Sequence, residues 1–305
     1  LEQRVIIIAG PTCSGKTALS ILLAGELQSE VISADSRQVY KYLDIGTAKP
    51  AAEDMAGIKH HFIDEIEPDG NFNANLFEQK SLEIIGQLHQ KDTIPVVAGG
   101  SGLYIKALVD GITESAVYSD EIREKLLKEK EENGIFFLYE KLKKLDPVSA
   151  DRMLPQNWKR VLRALEVILF TGKPIWQHHK EYERDCNINF IQYALNWDRP
   201  RLYSNINKRV DKMIEAGLVD EVKSLLEKGF ASKVNALNTV GYKEIIEYLE
   251  SRISLDTAIE LIKRNTRRYA KKQMTWFRAD DRINWLPIES QEDLPGLKNR
   301  ILSAL

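Results

Sequence analysis

Short apolar runs alternate along the first third of the chain with longer stretches of helical period. Val5 to Ala9 is continuously apolar, as a strand buried on both faces must be. After a glycine-rich stretch, Ala18, Leu19, Leu22, Leu23 and Leu27 recur at helical spacing. Further apolar runs predict strands at 31–34, 59–63, 94–98 and 190–195. "FNANLFEQKSLEIIGQLHQ" reads as a capped amphipathic helix. "AGGSGLYIKAL" is a second glycine-rich strand-to-helix turn with Ser101 at the helix start. It suits either a hydroxyl and N–H groups placed over a ligand or a bare tight turn. Strands alternating with helices predict an α/β fold with a parallel sheet.

From about Ser119 the pattern changes. "SDEIREKLLKEKEENGIFFLYEKLKKLDP" is charge-dense and helical, as is most of the chain to about Arg184. This predicts an all-helical insertion at 116–185 between strands of a core made of 1–115 and 186–305. The last third reads as helical throughout. Charge runs of this kind are ordinarily solvated helix faces.

Composition narrows the field modestly. The 305 residues carry 43 Lys and Arg against 45 Asp and Glu, so overall charge announces no nucleic-acid partner and any basic surface is local. The two cysteines, Cys13 and Cys186, have no metal-ligand spacing; this points to a reducing, cytoplasmic setting without a zinc site. No apolar run approaches the roughly 20 residues that span a bilayer. The first residues already read as a strand, so no signal peptide is expected.

Candidate chemistry starts at Gly10-Pro11-Thr12-Cys13-Ser14-Gly15-Lys16-Thr17, which fits G-x-x-x-x-G-K-[ST] between a strand and a helix. Such a loop turns N–H groups toward a phosphate, Lys16 adds a point charge, and the Thr17 hydroxyl suits Mg²⁺. A later strand ending in Asp or Glu, usual in nucleotide-hydrolysing relatives, is missing. The nearest carboxylate is Asp35, after "EVISA". The carboxyl end of a parallel strand faces the ligand edge, so Asp35 can assist a metal, accept a proton, or merely cap the next turn. Adjacent His60 and His61 point to opposite faces of a strand and read as structural. Lys159, Arg160 and Arg163 precede an apolar helical run, unfavourably for the helix dipole; they suit an external anion or a nearby carboxylate. "IKRNTRRYAKKQMTWFR" carries Lys263, Arg264, Arg267, Arg268, Lys271, Lys272 and Arg278 with interleaved aromatics and no acid, a composition suited to RNA. Within it Trp276 reads as core packing. The rival readings are a small-molecule or nucleotide kinase and a non-enzymatic RNA-binding protein.

Several stretches together resemble one family. "GPTCSGKT", "DSRQVYKYLDIGTAKP", "HHFID", "VVAGGSGLYIKAL", "RALEV", "TVGYKEI" and "KKQMTWFR" occur in the order and spacing of the tRNA dimethylallyltransferases, or isopentenyltransferases, over almost the whole chain. Ser101 stands where threonine is frequent and keeps the hydroxyl. The resemblance implies a P-loop NTPase-like sheet and the bacterial type, without a C-terminal zinc-finger extension. It implies transfer of the dimethylallyl group of dimethylallyl diphosphate to N6 of adenosine 37 in tRNAs that read codons beginning with U. On this reading Gly10 to Thr17 hold the diphosphate, with Mg²⁺ on Thr17. Asp35 is the base, Lys16, Thr17 and Arg209 stabilise the leaving group, and Ser101 lies in the catalytic set. The anticodon stem-loop, its adenosine flipped, would touch Asp35, Ser36, Arg37, Gln38, Ser101, Arg123, Lys159, Arg160 and Arg163. It would also touch Asn238, Gly241, Tyr242, Lys243, Lys271, Lys272, Gln273, Trp276 and Arg278. The enzyme is expected to be a monomer.

Overall fold

The computed structural model describes residues 3–111, 119–181 and 187–305. The chain forms two compact units, one of Leu1–Val109 with Asn187–Leu305, the other of Asp110–Cys186. The boundaries expected at 115/116 and 185/186, and Cys186, lie outside the described residues.

The first unit opens with β1 (Gln3–Ala9), α1 (Lys16–Glu26), β2 (Val31–Ser33), β3 (His60–His61), α2 (Ala74–His89), β4 (Val96–Gly99) and α3 (Gly102–Asp110). The second unit holds α4 (Asp120–Asn133), α5 (Ile135–Leu145), α6 (Pro147–Asp151), α7 (Trp158–Thr171) and α8 (Ile175–Glu181). The chain then returns to the first unit with β5 (Ile188–Trp197), α9 (Arg199–Glu215), α10 (Leu218–Glu227), α11 (Tyr242–Leu249) and α12 (Leu255–Phe277). It ends with β6 (Asn284–Ile288) and α13 (Leu294–Leu302).

The six strands form one sheet in the order β3-β2-β4-β1-β5-β6, and every pairing is parallel. β1 lies at its centre, with Ile6 to Ala9 in register with Val96 to Gly99 on one side and Gln3 to Ala9 with Ile188 to Ala194 on the other. Val5 to Ala9 are fully buried, as the apolar run predicts. The core continues through Leu19 and Leu23 of α1 and Ile206 of α9. Asn73 caps α2, its side chain accepting from the N–H groups of Asn75 and Leu76.

One expectation is corrected. The last third is not all helical: β6 pairs with β5 at the sheet edge. Pro287 hides it, because proline ordinarily argues against a strand and is tolerated only at an edge.

The second unit is helical among its described residues. Leu126, Leu138, Leu142, Val161, Leu162 and Leu165 form its core. The long charged helical stretch breaks at Gly134, where φ is +84°, giving α4 and α5. Among the described residues no helix is long and apolar enough to cross a membrane.

Candidate active site

β1 and β4 are neighbours, so the two glycine-rich turns that follow them leave the sheet side by side at its carboxyl edge. The first turn wraps into an anion cradle. Gly10, Cys13 and Gly15 all have positive φ, +137°, +64° and +93°. Gly15 directly precedes α1 in the left-handed region, which glycine adopts without strain. Lys16 Nζ donates back to the carbonyl of Pro11 (2.6 Å), closing the loop, and Trp197 Nε1 donates to the carbonyl of Ser14 (2.9 Å). Burial lowers the Lys16 ammonium to about 8, opposed by the nearby Asp35 carboxylate and reinforced by Arg209. Thr17 is exposed at the start of α1.

Arg209, on α9, reaches the same loop. Its Nη1 donates to Thr12 Oγ1 (3.2 Å) and to Cys13 Sγ (3.6 Å), and its Nη2 to the carbonyl of Thr47 (3.2 Å). One guanidinium thus ties the phosphate loop to the 44–49 loop.

Asp35 follows β2 and lines the same cleft, whose volume is about 550 Å³. Its Oδ1 accepts from the N–H groups of Arg37 (2.8 Å) and Gln38 (3.4 Å). The turn cap expected of an Asp here is present. Oδ2 takes no hydrogen bond among the described residues, so one carboxylate both caps the turn and offers a free oxygen to the cleft. Tyr269 of α12 faces it. Tyr269 is 45% exposed; local desolvation and the Asp35 charge push its hydroxyl above the ordinary value, and it is a donor at neutral pH.

Sequence reasoning missed what builds the opposite wall. The buried Lys49 ammonium donates to the carbonyl of Tyr40 (2.8 Å) and to Asp44 (2.6 Å), and pairs with Asp64. Glu221 of α10 accepts from the N–H groups of Asp44, Ile45 and Gly46 at 2.7–3.1 Å and from the Tyr242 hydroxyl at 2.6 Å. The "GTAKP" stretch marks Lys49, but nothing local distinguishes Glu221 from its solvated neighbours. Gln38 closes onto the same wall, its Nε2 donating to the carbonyls of Thr47 and Ala48.

The residues expected to touch tRNA divide by environment. Ser36, Arg37, Asn238 and Gly241 line the cleft. Ser101 stands beside it, between Gly100 and α3, its N–H donating to the carbonyl of Ala34 (3.1 Å). Two others are buried. Tyr242 has no exposed surface and its hydroxyl donates to Glu221. Gln273 is 7% exposed and both its polar atoms point inward, to Thr12 and Gly100.

Trp276 departs from the core reading: it is 40% exposed. With Lys106, Arg268, Lys271 and Lys272 it lines a groove of about 1030 Å³ on the other flank of α12. The basic run is also thinner than its composition suggests. Lys263 is paired with Asp211 (2.8 Å) and Arg267 donates to Asn207 Oδ1 (2.6 Å). Lys243, Lys271, Lys272 and Arg278 are exposed.

In the second unit, Arg123 Nη1 lies 2.7 Å and Arg163 Nη1 3.5 Å from the two oxygens of Glu166, which is 4% exposed. The carboxylate alternative foreseen for the basic helix start is therefore real for Arg163. Arg160 is exposed, and the Lys159 ammonium lies 5.7 Å from the Trp158 ring centre. Replacing Glu166 with Gln should lower stability by about 1–3 kcal/mol, since it removes charged hydrogen bonds from a buried acceptor. Urea titration checks this.

His60 and His61 both make hydrogen bonds within the protein, while His60 also lines the cleft and its Nε2 is buried without a partner among the described residues. His60 Nδ1 faces the carbonyl of Ile58 (2.9 Å) and His61 Nε2 lies 2.5 Å from Glu30 Oε2. Burial lowers the His60 ring. No cluster of three His, Cys, Asp or Glu with metal-holding geometry exists among the described residues. A Mg²⁺ ion that relies mainly on substrate phosphates and water fits such a site; Thr17, exposed at the start of α1, could supply a hydroxyl to it.

Comparison with known proteins adds independent weight. The model of the IPP transferase family matches residues 38–280. The chain is 43% identical to the tRNA dimethylallyltransferase of Pelotomaculum thermopropionicum over 301 residues, 98% of this chain and 96% of the relative. It is 48% identical to that of Acetivibrio thermocellus over 286 residues, 93% and 91% of the two chains. It is similar to the full-length tRNA isopentenylpyrophosphate transferase of Bacillus halodurans, with a TM-score of 0.73, 37% identity and coverage of 99% and 96%. A eukaryotic dimethylallyltransferase solved acting on tRNA gives a TM-score of 0.84 at 29% identity, over 98% of this chain and 77% of that one. These neighbours have the P-loop NTPase-like fold. With fold and sequence agreeing over nearly the full length, the chain belongs to the IPP transferase family.

Proposed function

We propose that this chain transfers the dimethylallyl group of dimethylallyl diphosphate to tRNA, at N6 of adenosine 37 in tRNAs reading codons that begin with U, releasing diphosphate. The observation that carries the reading is one cleft holding a lysine-centred phosphate loop and, facing it, a carboxylate with a free oxygen, in a chain of this family. The same cleft in a metabolite kinase would serve a hydroxyl acceptor. Family membership over most of the chain disfavours that alternative.

The chemistry follows from the donors and acceptors present. The adenine amine shares its lone pair with the ring and is a weak nucleophile. Asp35 Oδ2 would accept a hydrogen bond from N6 and then its proton. N6 bonds to the allylic carbon as the C–O bond breaks, and the electron pair leaves with the diphosphate. Lys16, the loop N–H groups and Arg209 meet that charge where it grows. Tyr269, which remains protonated, can donate within the same cleft, and Ser101 stands at the edge of the cleft. Thr17 would hold Mg²⁺, which when bound supplies further charge to the diphosphate oxygens. The base must leave the anticodon-loop stack to reach Asp35.

The helical unit, through Arg123, Lys159, Arg160 and Arg163, and the exposed residues Lys243, Lys271, Lys272, Trp276 and Arg278 would hold the anticodon stem-loop. We read the active species as a cytoplasmic monomer. The test mixes the protein with unmodified tRNA and either dimethylallyl diphosphate or ATP. A mass gain of one prenyl group with the first donor alone supports the reading. Phosphate transfer from ATP to a small molecule, with no prenylated tRNA, overturns it.

Replacing Lys271 and Lys272 with Ala should weaken tRNA binding and flatten its salt dependence. Two lost phosphate contacts to a single strand reduce the slope of log K against log salt by about 1.4. Filter binding across a salt series measures this. An unaltered slope would mean that this face is merely solvated.

A further inference from the structure

The polar side chain of α12 that turns away from solvent is placed between the two glycine-rich turns. Gln273 Oε1 accepts the backbone N–H of Thr12 in the phosphate loop (2.9 Å), across 261 residues of sequence. Its Nε2 donates to the carbonyl of Gly100 in the turn after β4 (2.9 Å). The fit is close: a Cβ on Gly100 would lie 2.2 Å from Gln273 Nε2, so any side chain there displaces the amide. Thr12 is fixed a second time by Arg209 on its hydroxyl.

We propose that Gln273 is a positioning residue for the donor, anchoring the strand-side end of the phosphate loop to the β4 turn so that the remaining loop N–H groups converge on a diphosphate.

The inference rests on the reading that this loop holds the donor diphosphate. Its physical basis is preorganisation. An anion cradle binds well only if its N–H groups are already aimed, because ordering them on binding costs affinity. Cys13, directly after Thr12, is a non-glycine residue at φ +64°, a conformation that surrounding structure must enforce. Gln273 supplies part of that enforcement by holding the N–H of the preceding residue. It also consumes that N–H, so the groups left to the diphosphate begin after Thr12. The neighbouring turn of α12 exposes Lys271, Lys272 and Trp276, so the helix expected to meet tRNA on one flank fixes the donor loop with another.

The test uses Gln273→Met, of similar length but without the amide, Gly100→Ala, which displaces the amide sterically, and the double variant. Binding of inorganic pyrophosphate with Mg²⁺ is measured by calorimetry, and donor KM, tRNA Kd and kcat alongside it. Loss of one buried hydrogen-bonded anchor should raise the pyrophosphate Kd and the donor KM about tenfold. The tRNA Kd and kcat at saturating donor should stay near wild type. The double variant should be little worse than either single one, since both remove one interaction. Wild-type pyrophosphate affinity in folded Gln273→Met or Gly100→Ala overturns the inference, as does a loss confined to tRNA binding, or full additivity. If one variant does not fold, the other decides alone. Wild-type protein without affinity for pyrophosphate would overturn the donor reading and this inference together, a result distinct from variants that merely match wild type.

Discussion

Asp35→Asn should prenylate tRNA about 10²–10⁴-fold more slowly than wild type in a single turnover with both substrates saturating. The substitution keeps the turn, because an amide oxygen still accepts from Arg37 N and Gln38 N as Oδ1 does now. With that oxygen kept on the turn, the cleft-facing Oδ2 is replaced by an NH2 group, which donates hydrogen bonds and cannot take the proton of N6. Binding of tRNA should change far less than the rate, since phosphate contacts dominate affinity. A wild-type rate would reduce Asp35 to a turn cap. Loss of Mg²⁺-dependent donor binding instead would assign Asp35 to the metal.

Lys16→Ala should lower kcat/KM for the donor by about 10²–10³-fold, as removal of a group aimed at developing negative charge does elsewhere. Binding of tRNA should persist. In the wild type the same lysine imposes a pH dependence. Its folded value lies at about 8, below the ordinary 10.5, so donor affinity should fall as pH rises through 8. For stability the sign is opposite. The unfolded chain binds the extra proton between about 8 and 10.5, so stability rises with pH over that window. Fluorescence-monitored denaturant midpoints at pH 7.5 and 9.5 distinguish this lysine from others by comparison with Lys16→Met.

The parts of this molecule legible in its sequence are those where neighbours in sequence make the structure. The phosphate loop, the strand before it and the helix after it all follow from a contiguous run of residues, and so does the cap of α2. The cleft as a whole is not local. Thr12 meets Gln273, Arg37 donates to the carbonyl of Asn235, and Glu221 reaches back to residues 44–46. No spacing along the chain announces such contacts. Family resemblance counted Gln273 among positions that touch tRNA, and nothing in the sequence announced its bonds to Thr12 and Gly100. A patterned helix reveals which positions share a face, not which face is covered. Trp276 failed in the opposite sense, because an aromatic in a basic run looks alike whether it fills a core or roofs a groove. β6 was hidden by Pro287, a residue that only the edge of a sheet accommodates.

That edge has a consequence for the behaviour of the molecule in a crowded cell. A parallel sheet left open at its flanks invites a second chain to extend it. Here one flank ends in β3, two residues long, and the other in β6, where exposed Pro287 interrupts the row of amide hydrogens. Neither margin gives an incoming strand a continuous ladder. Each flank thus presents a second chain with a short or interrupted row of pairing groups, which disfavours association through the sheet edges.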